Sequence, residues 1–230
     1  MKEPKVKEGR WAKIGVVITA LALLIAIYQV FIEPRINPPY VEKVVTVAEN
    51  LTSLKTIEYP DSMTSNSEVR HIVNFQDKAK EYATEFKVTV QNRSLLSKEK
   101  NRQKQEAMLN QDTDNVRRRA QLIIKSLEAL KIVEKDLKRS SSKWANIIQE
   151  NDIDDTTEKF RKMFAYQDSI LKRTASFQAN DNQEDALKVY DSLYKNEDYL
   201  VFHENMFNWY IKLYKQLNSR ITEIKNDGLQ

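Results

Sequence analysis

The chain contains two histidines, and one of them stands in a pattern that could bind a metal ion. Glu68 and His71 form a Glu-x-x-His unit, which places two ligands on one face of a helix. Di-iron centres in helical bundles need two such units and two further glutamates. His203 has no glutamate three residues before it, so the second unit is missing. We therefore predict no metal site, and we interpret His203 as a structural residue at the edge of the core.

A run of carboxylates between residues 151 and 158 has the composition of a calcium loop. The segment reads Asn-Asp-Ile-Asp-Asp-Thr-Thr-Glu and lacks the central glycine and the closing glutamate that such a loop requires. Asp155 or Thr156 can instead cap the helix that follows, with Glu158 in its first turn, where negative charge is favourable. We interpret this segment as a helix start.

No combination of residues is typical of an enzyme active site. The chain has no cysteine, which excludes thiol catalysis, disulfides, zinc ribbons and iron-sulfur clusters. No phosphate-binding loop, nucleophile elbow or kinase motif is present in the sequence. We therefore predict no catalytic residues, no cofactor and no enzymatic activity. A membrane-bound hydrolase or metal enzyme, built from polar groups on separate helices, is an alternative that spacing along the chain does not test.

Two groups of side chains are candidates for binding a partner macromolecule. Phe202 and Trp209 lie in an aromatic segment but fall outside the heptad positions expected to face the core, so they are candidate anchors of a protein contact. Arg117, Arg118 and Arg119 could form the centre of a basic face for lipid headgroups, a wall polymer or nucleic acid. Three consecutive helix positions spread over about 200° of arc, so all three cannot face one ligand.

An apolar segment from residue 14 to residue 32 predicts a transmembrane helix. It carries no charge and would be about 28 Å long as a helix, close to the thickness of a bilayer core. Residues 1–13 form a basic tail with a net charge of +3, which places the N-terminus in the cytoplasm by the positive-inside rule. We predict an uncleaved signal-anchor. A cleaved signal peptide is the alternative, but no small-x-small cleavage site follows the segment.

The rest of the chain reads as a spacer followed by helices. Residues 33–40 form a Pro-rich spacer, residues 41–66 a juxtamembrane helix and loop, and residues 67–227 a helical bundle domain. No glycine or proline occurs from residue 61 to residue 227. We therefore predict an all-α fold, with the single transmembrane helix followed by an elongated antiparallel bundle with coiled-coil-like seams. Alternating residues from 86 to 90 leave a local strand open as an alternative.

Two heptad patterns and two charge blocks predict how the helices pack. Apolar residues recur every seven positions at Val116, Ile123 and Leu130 in a helix between residues 112 and 149, and again from Leu200 to Ile221. Turns at residues 151–155 and 180–182 make neighbouring helices antiparallel. Residues 93–143 carry a net charge of +7 and residues 150–204 a net charge of −6, which favours packing of one block against the other.

These features together predict a non-enzymatic membrane protein. The sequence indicates a single-pass protein that contacts membrane lipid through residues 14–32 and places its bundle outside the cytoplasm. The bundle would act as a scaffold, tether or accessory subunit by binding a protein partner or a second copy of itself. The pI near 9.0 does not favour nucleic acid, because most of the excess positive charge lies in the tail. The alternative is a sensory ectodomain or membrane-linked effector that acts through a partner chain, or with a cytoplasmic domain.

Overall fold

A computed structural model describes residues 39–63, 65–137, 146–147 and 151–227. The predicted basic tail, the predicted transmembrane helix and most of the Pro-rich spacer lie outside these residues. Within the described part of the chain, none of the helices has both the length and the apolar character needed to cross a membrane. The described residues from 43 onward belong to one compact unit, which holds the helical bundle described below.

Every regular element of the described residues is helical, which confirms the all-α class and the helical bundle. The α-helices are α1 (Pro39–Thr52), α2 (Ser67–Leu96), α3 (Arg102–Leu137), α4 (Ile153–Ala179), α5 (Gln183–Lys195) and α6 (Glu197–Asp227), with a short 3-10 turn at Asp61–Met63. The alternative of a strand at residues 86–90 is wrong, because these residues lie inside α2. Helix α3 begins ten residues earlier than the predicted start at residue 112.

The acidic segment at residue 151 starts a helix, as the sequence predicts, but with a different capping residue. Asp152 has a left-handed backbone, with φ at 44°, and its carboxylate accepts a hydrogen bond from the backbone N–H of Asp155 at 3.4 Å. Thr156 lies within the first turn and is buried. The cap is therefore Asp152 rather than Asp155 or Thr156, because only a side chain that precedes the helix reaches its free N–H groups.

Helices α5 and α6 are separated by a single residue, Asn196. Its backbone is extended, with φ at −83° and ψ at 112°. Its side chain accepts a hydrogen bond from the N–H of Tyr199 at 3.1 Å and donates one to the hydroxyl of Tyr166 on α4 at 2.7 Å. Asparagine competes well with helical hydrogen bonding through such side-chain contacts. The break therefore occurs without glycine or proline.

The seams predicted from the heptads form the core. Val116, Ile123 and Leu130 of α3 are fully buried. On α6 the buried seam residues are Leu200, His203, Phe207, Tyr210, Tyr214, Leu217 and Ile221. The seam of α6 packs on α2 through aromatic rings, with the ring centroids of Phe207 and Tyr82 5.1 Å apart. Aromatic pairs at this separation stabilise a core beyond the area that they bury.

Ion pairs connect the positive and negative charge blocks. Among the described residues, four pairs join residues 93–143 to residues 150–204: Arg93 with Asp191, Arg102 with Asp181, Lys131 with Asp154, and Glu128 with Arg161, the last with the signs of charge reversed. The charge distribution of the sequence predicted this intramolecular packing. Each exposed pair contributes only about 0 to 1 kcal/mol, so the pairs favour the correct arrangement of helices more than they stabilise it.

Candidate functional site

The two aromatic residues predicted to anchor a partner lie on the same face of α6 and are half-buried. The ring of Phe202 packs edge-on against Phe160 of α4, with centroids 5.3 Å apart. The indole N–H of Trp209 donates a hydrogen bond to the backbone carbonyl of Asn151 at 2.9 Å. Both side chains therefore already contact α4 or its start, and each leaves part of its surface to solvent. Their role as partner anchors stays a prediction.

The three consecutive arginines of α3 have different environments. Arg117 is exposed and lies 3.7 Å from Asp114 on its own helix. Arg118 is exposed and pairs with Glu85 of α2. Arg119 is only 1% exposed. The expected basic centre of three arginines is thus corrected to two, because Arg119 points into the core, where a partner on the folded surface does not reach it.

Arg119 is the centre of a polar cluster buried between α2, α3, α5 and α6. Its Nη1 donates a hydrogen bond to the hydroxyl of Thr89 at 2.6 Å, and its guanidinium carbon lies 5.6 Å from the ring centroid of Phe86. Its Nη2 has no hydrogen-bond partner within the described residues. A buried cation is costly unless neighbouring groups compensate its charge. The side chains around Arg119 therefore determine how this cost is offset.

A second charged group, Asp112, is buried in the same region. It is 1% exposed, and its Oδ1 accepts a hydrogen bond from the side-chain amide of Asn92 at 3.0 Å. Burial raises the pKa of Asp112, and this effect exceeds the opposing influences of Asn92 and of the positive charge of Arg119. The carboxylate is therefore close enough for the charge of Arg119 to lower its pKa, although the two side chains make no ion pair.

Tyrosine hydroxyls complete the cluster. The hydroxyls of Tyr190 and Tyr194 are 3.4 Å apart, and the hydroxyl of Tyr199 donates to Oε1 of Gln167 at 3.0 Å. Burial raises the pKa values of Tyr190 and Tyr199 well above their ordinary range. These phenols stay neutral at physiological pH, so they offer hydrogen bonds to the charged groups but no counter-charge.

His203 of α6 packs against the ring of Phe86 and is fully buried. Its Nδ1 donates to the backbone carbonyl of Tyr199 at 2.7 Å, since a carbonyl oxygen only accepts. Burial lowers the pKa of His203 to about 3, despite the hydrogen bond to Tyr199, and the charge of Arg119 lowers it further. The expectation of an imidazole at the edge of the core was wrong, because aromatic rings of α2 cover this position.

The glutamate of the Glu-x-x-His unit has a structural role. Glu68 makes a two-point ion pair with Arg220 of α6, with Oε1 2.7 Å from Nε and Oε2 3.3 Å from Nη2. His71 is half-exposed one turn further along α2. In the part of the chain that the structure describes, no three histidines, aspartates or glutamates are grouped as metal ligands. The carboxylate oxygens of Glu68 are therefore committed to Arg220.

Most of the buried polar cluster is not predictable from the sequence. Its members include Thr89, Asn92, Asp112 and Gln167, and each of these is an ordinary polar residue in a helix. A usable signal was present in α2, where Thr89 follows Phe86 by three positions on the apolar face. A polar side chain at such a position needs a buried partner. The pattern does not identify that partner, because Arg119 lies thirty residues further along the chain.

The arrangement of these groups is that of a structural polar core. The charged and aromatic side chains of the cluster are almost completely buried, so they have the exposure of packing residues rather than of groups that meet a substrate. Comparison of the chain with protein-family models, with curated proteins and with solved structures finds no match.

Proposed function

We propose that the protein is a single-pass membrane protein whose helical bundle works outside the cytoplasm by binding another macromolecule, without enzymatic activity. The observation that carries the proposal is the uncharged apolar segment of residues 14–32, with its basic flank on the N-terminal side. A domain tethered in this way meets partners in or along the membrane. Scaffolding, tethering and service as an accessory subunit all fit this placement.

The aromatic face of α6 is the proposed contact surface. Phe202 and Trp209 are seven residues apart, so they lie on one face two turns apart. Asn205 lies between them on that face and is exposed. Large aromatic side chains that keep part of their surface in solvent are the residue types that most often dominate protein contacts. The partner is accordingly proposed to be a protein or a second copy of this chain.

Single cysteines in this cysteine-free chain test the membrane topology. Ser97 and Ser219 are exposed, so Ser97→Cys and Ser219→Cys should react with a membrane-impermeant thiol reagent in intact cells if the bundle lies outside the cytoplasm. Ser126 is only 2% exposed, and Ser126→Cys is the matched control that should react only after denaturation. Labelling of the two exposed positions only after lysis would refute the proposed orientation and favour a membrane-linked effector with a cytoplasmic domain.

A photo-crosslinking amino acid tests the proposed contact surface. Placed at Asn205, it should give a discrete crosslinked product in cells, and Phe202→Ser should weaken that product. The control position is Glu106, which is exposed on a different helix, α3. A product of twice the chain mass would identify self-association. Equal crosslinking from Asn205 and Glu106, or none from Asn205, would refute this face as the contact surface.

A further inference from the structure

Arg119 and Asp112 are oppositely charged, both are buried, and neither has an ion-pair partner within the described residues. Each also has one polar atom without a hydrogen-bond partner there, Nη2 of Arg119 and Oδ2 of Asp112. Removing two charges from water costs several kcal/mol for each unless they are compensated. The two unsatisfied atoms are a hydrogen-bond donor and a hydrogen-bond acceptor, so a single molecule that both accepts and donates hydrogen bonds could satisfy both.

Two contacts between α2 and α3 show which positions of the two helices face each other. Arg118 pairs with Glu85, and Asn92 donates to Asp112, so positions on the two antiparallel helices face each other in reverse order. Interpolation between these two contacts places Thr89 of α2 opposite residue 115 of α3. Thr89 therefore lies opposite a point on α3 that is about three residues from Asp112.

Arg119 reaches back along its helix to this level. Side chains in an α-helix lean toward the N-terminus, which for Arg119 is the direction of Asp112. The hydrogen bond from Nη1 to Thr89 at 2.6 Å fixes the guanidinium beside residue 115. With a rise of 1.5 Å per residue, the guanidinium is separated from the level of Asp112 by about 4.5 Å along the helix axis. Nη2 and Oδ2 make no hydrogen bond with each other, since both lack a partner within the described residues, and an axial offset of this size is within the span of two hydrogen bonds through one water molecule.

Two tyrosine hydroxyls of α5 lie in the same region. Burial raises the pKa of Tyr190, and the neighbouring Tyr194 and Asp112 raise it further, so the phenol of Tyr190 lies within electrostatic reach of the carboxylate. The hydroxyl of Tyr194 is 3.4 Å from that of Tyr190. Buried water molecules in proteins make about three hydrogen bonds. These hydroxyls can supply the remaining ones.

We propose that Arg119, Asp112 and the hydroxyls of Tyr190 and Tyr194 form a binding site for one internal water molecule that joins the guanidinium to the carboxylate. The water accepts a hydrogen bond from Nη2 of Arg119 and donates one to Oδ2 of Asp112. Water has the chemistry required, because the site presents both a free donor and a free acceptor. The site links α3 to α5 and pairs the two buried charges without direct contact.

A double-mutant cycle on the purified full-length chain in detergent tests the energetic part of the proposal. Arg119→Met and Asp112→Asn should each raise the unfolding equilibrium constant. In the double variant, the increase in the unfolding equilibrium constant should be smaller than the product of the two single increases by a factor of at least about five. The reason is that removal of one partner already breaks the bridge. The control cycle pairs Arg118→Met with Asp112→Asn, whose effects should multiply, because Arg118 points to Glu85.

A second variant and a crystal structure complete the test. If Arg119→Met does not fold, Arg119→Leu, which likewise removes the charge and every N–H donor of the side chain, can take its place in the cycle. A high-resolution crystal structure should show one water within hydrogen-bond distance of Arg119 Nη2 and Asp112 Oδ2. Independent effects in the cycle would overturn the proposal. So would a direct contact between the guanidinium and the carboxylate, or an anion bound at this position.

Discussion

His203 of α6 lies stacked on Phe86 of α2, with the ring centroids 4.9 Å apart and the ring planes at 28°. The stacking and the hydrogen bond from Nδ1 to the carbonyl of Tyr199 fix the position of the imidazole, and its burial keeps it neutral. Nε2 has no hydrogen-bond partner within the described residues. A proton on Nε2 would place a second positive charge near Arg119.

The buried imidazole predicts that the fold loses stability in acid. The pKa of His203 is about 3 in the folded chain and about 6.5 when unfolded, so between these values the unfolded state binds the additional proton. The contribution is complete above pH 6.5 and falls as the pH drops toward 3, by at most about 1.4 kcal/mol per pH unit. Chemical denaturation across this range should show that the free energy difference between wild type and His203→Gln narrows as the pH falls. A constant difference would contradict the assignment.

Two buried tyrosines should respond differently to the loss of their hydroxyls. The hydroxyl of Tyr82 has no hydrogen-bond partner within the described residues, so Tyr82→Phe removes a buried polar group and should leave stability unchanged or increase it. Tyr199→Phe removes a hydrogen bond to Gln167 and should cost about 1 kcal/mol. Urea unfolding of the two variants measures the contrast. A larger loss for Tyr82→Phe than for Tyr199→Phe would show that the Tyr82 hydroxyl is bonded.

The ion pair between Glu68 and Arg220 should be the most stabilising one at the start of α2. Both side chains are largely buried, with Glu68 9% exposed and Arg220 12% exposed, and two hydrogen bonds join them. Arg220→Met leaves a carboxylate buried without its partner and should cost about 3 kcal/mol. The matched control is Arg161→Met, which removes an exposed arginine 3.9 Å from Glu128 and should cost less than about 1 kcal/mol. Similar losses for both variants would indicate that the Glu68 pair is solvated.

The helix break at Asn196 should depend on its side chain. Asn196→Ala removes the hydrogen bonds to Tyr199 and Tyr166 and favours a continuous helix through α5 and α6, at a cost of about 1 to 2 kcal/mol. Thermal unfolding followed by circular dichroism measures the loss. Asn110→Ala, at an exposed site within α3, should have little effect. An unchanged melting temperature for Asn196→Ala would show that packing alone breaks the helix.

The sequence by itself determined the helical class and the apolar seams. Without glycine or proline from residue 61 to residue 227, the chain has few sites for tight turns, and heptads such as Val116, Ile123 and Leu130 specify which face of a helix is buried. These are local properties, because helical periodicity depends only on neighbouring residues. The charge blocks likewise predicted which helices attract each other, since their sums do not depend on exact geometry.

Only the tertiary structure decided which individual polar residues are buried. Arg117, Arg118 and Arg119 are identical in type and adjacent in sequence, yet Arg119 alone is buried, because Thr89 and Phe86 receive its guanidinium. The same holds for His203, which the rings of α2 enclose. Burial and pKa depend on groups that are distant in the chain and that only packing brings together, and spacing along one helix carries no information about them.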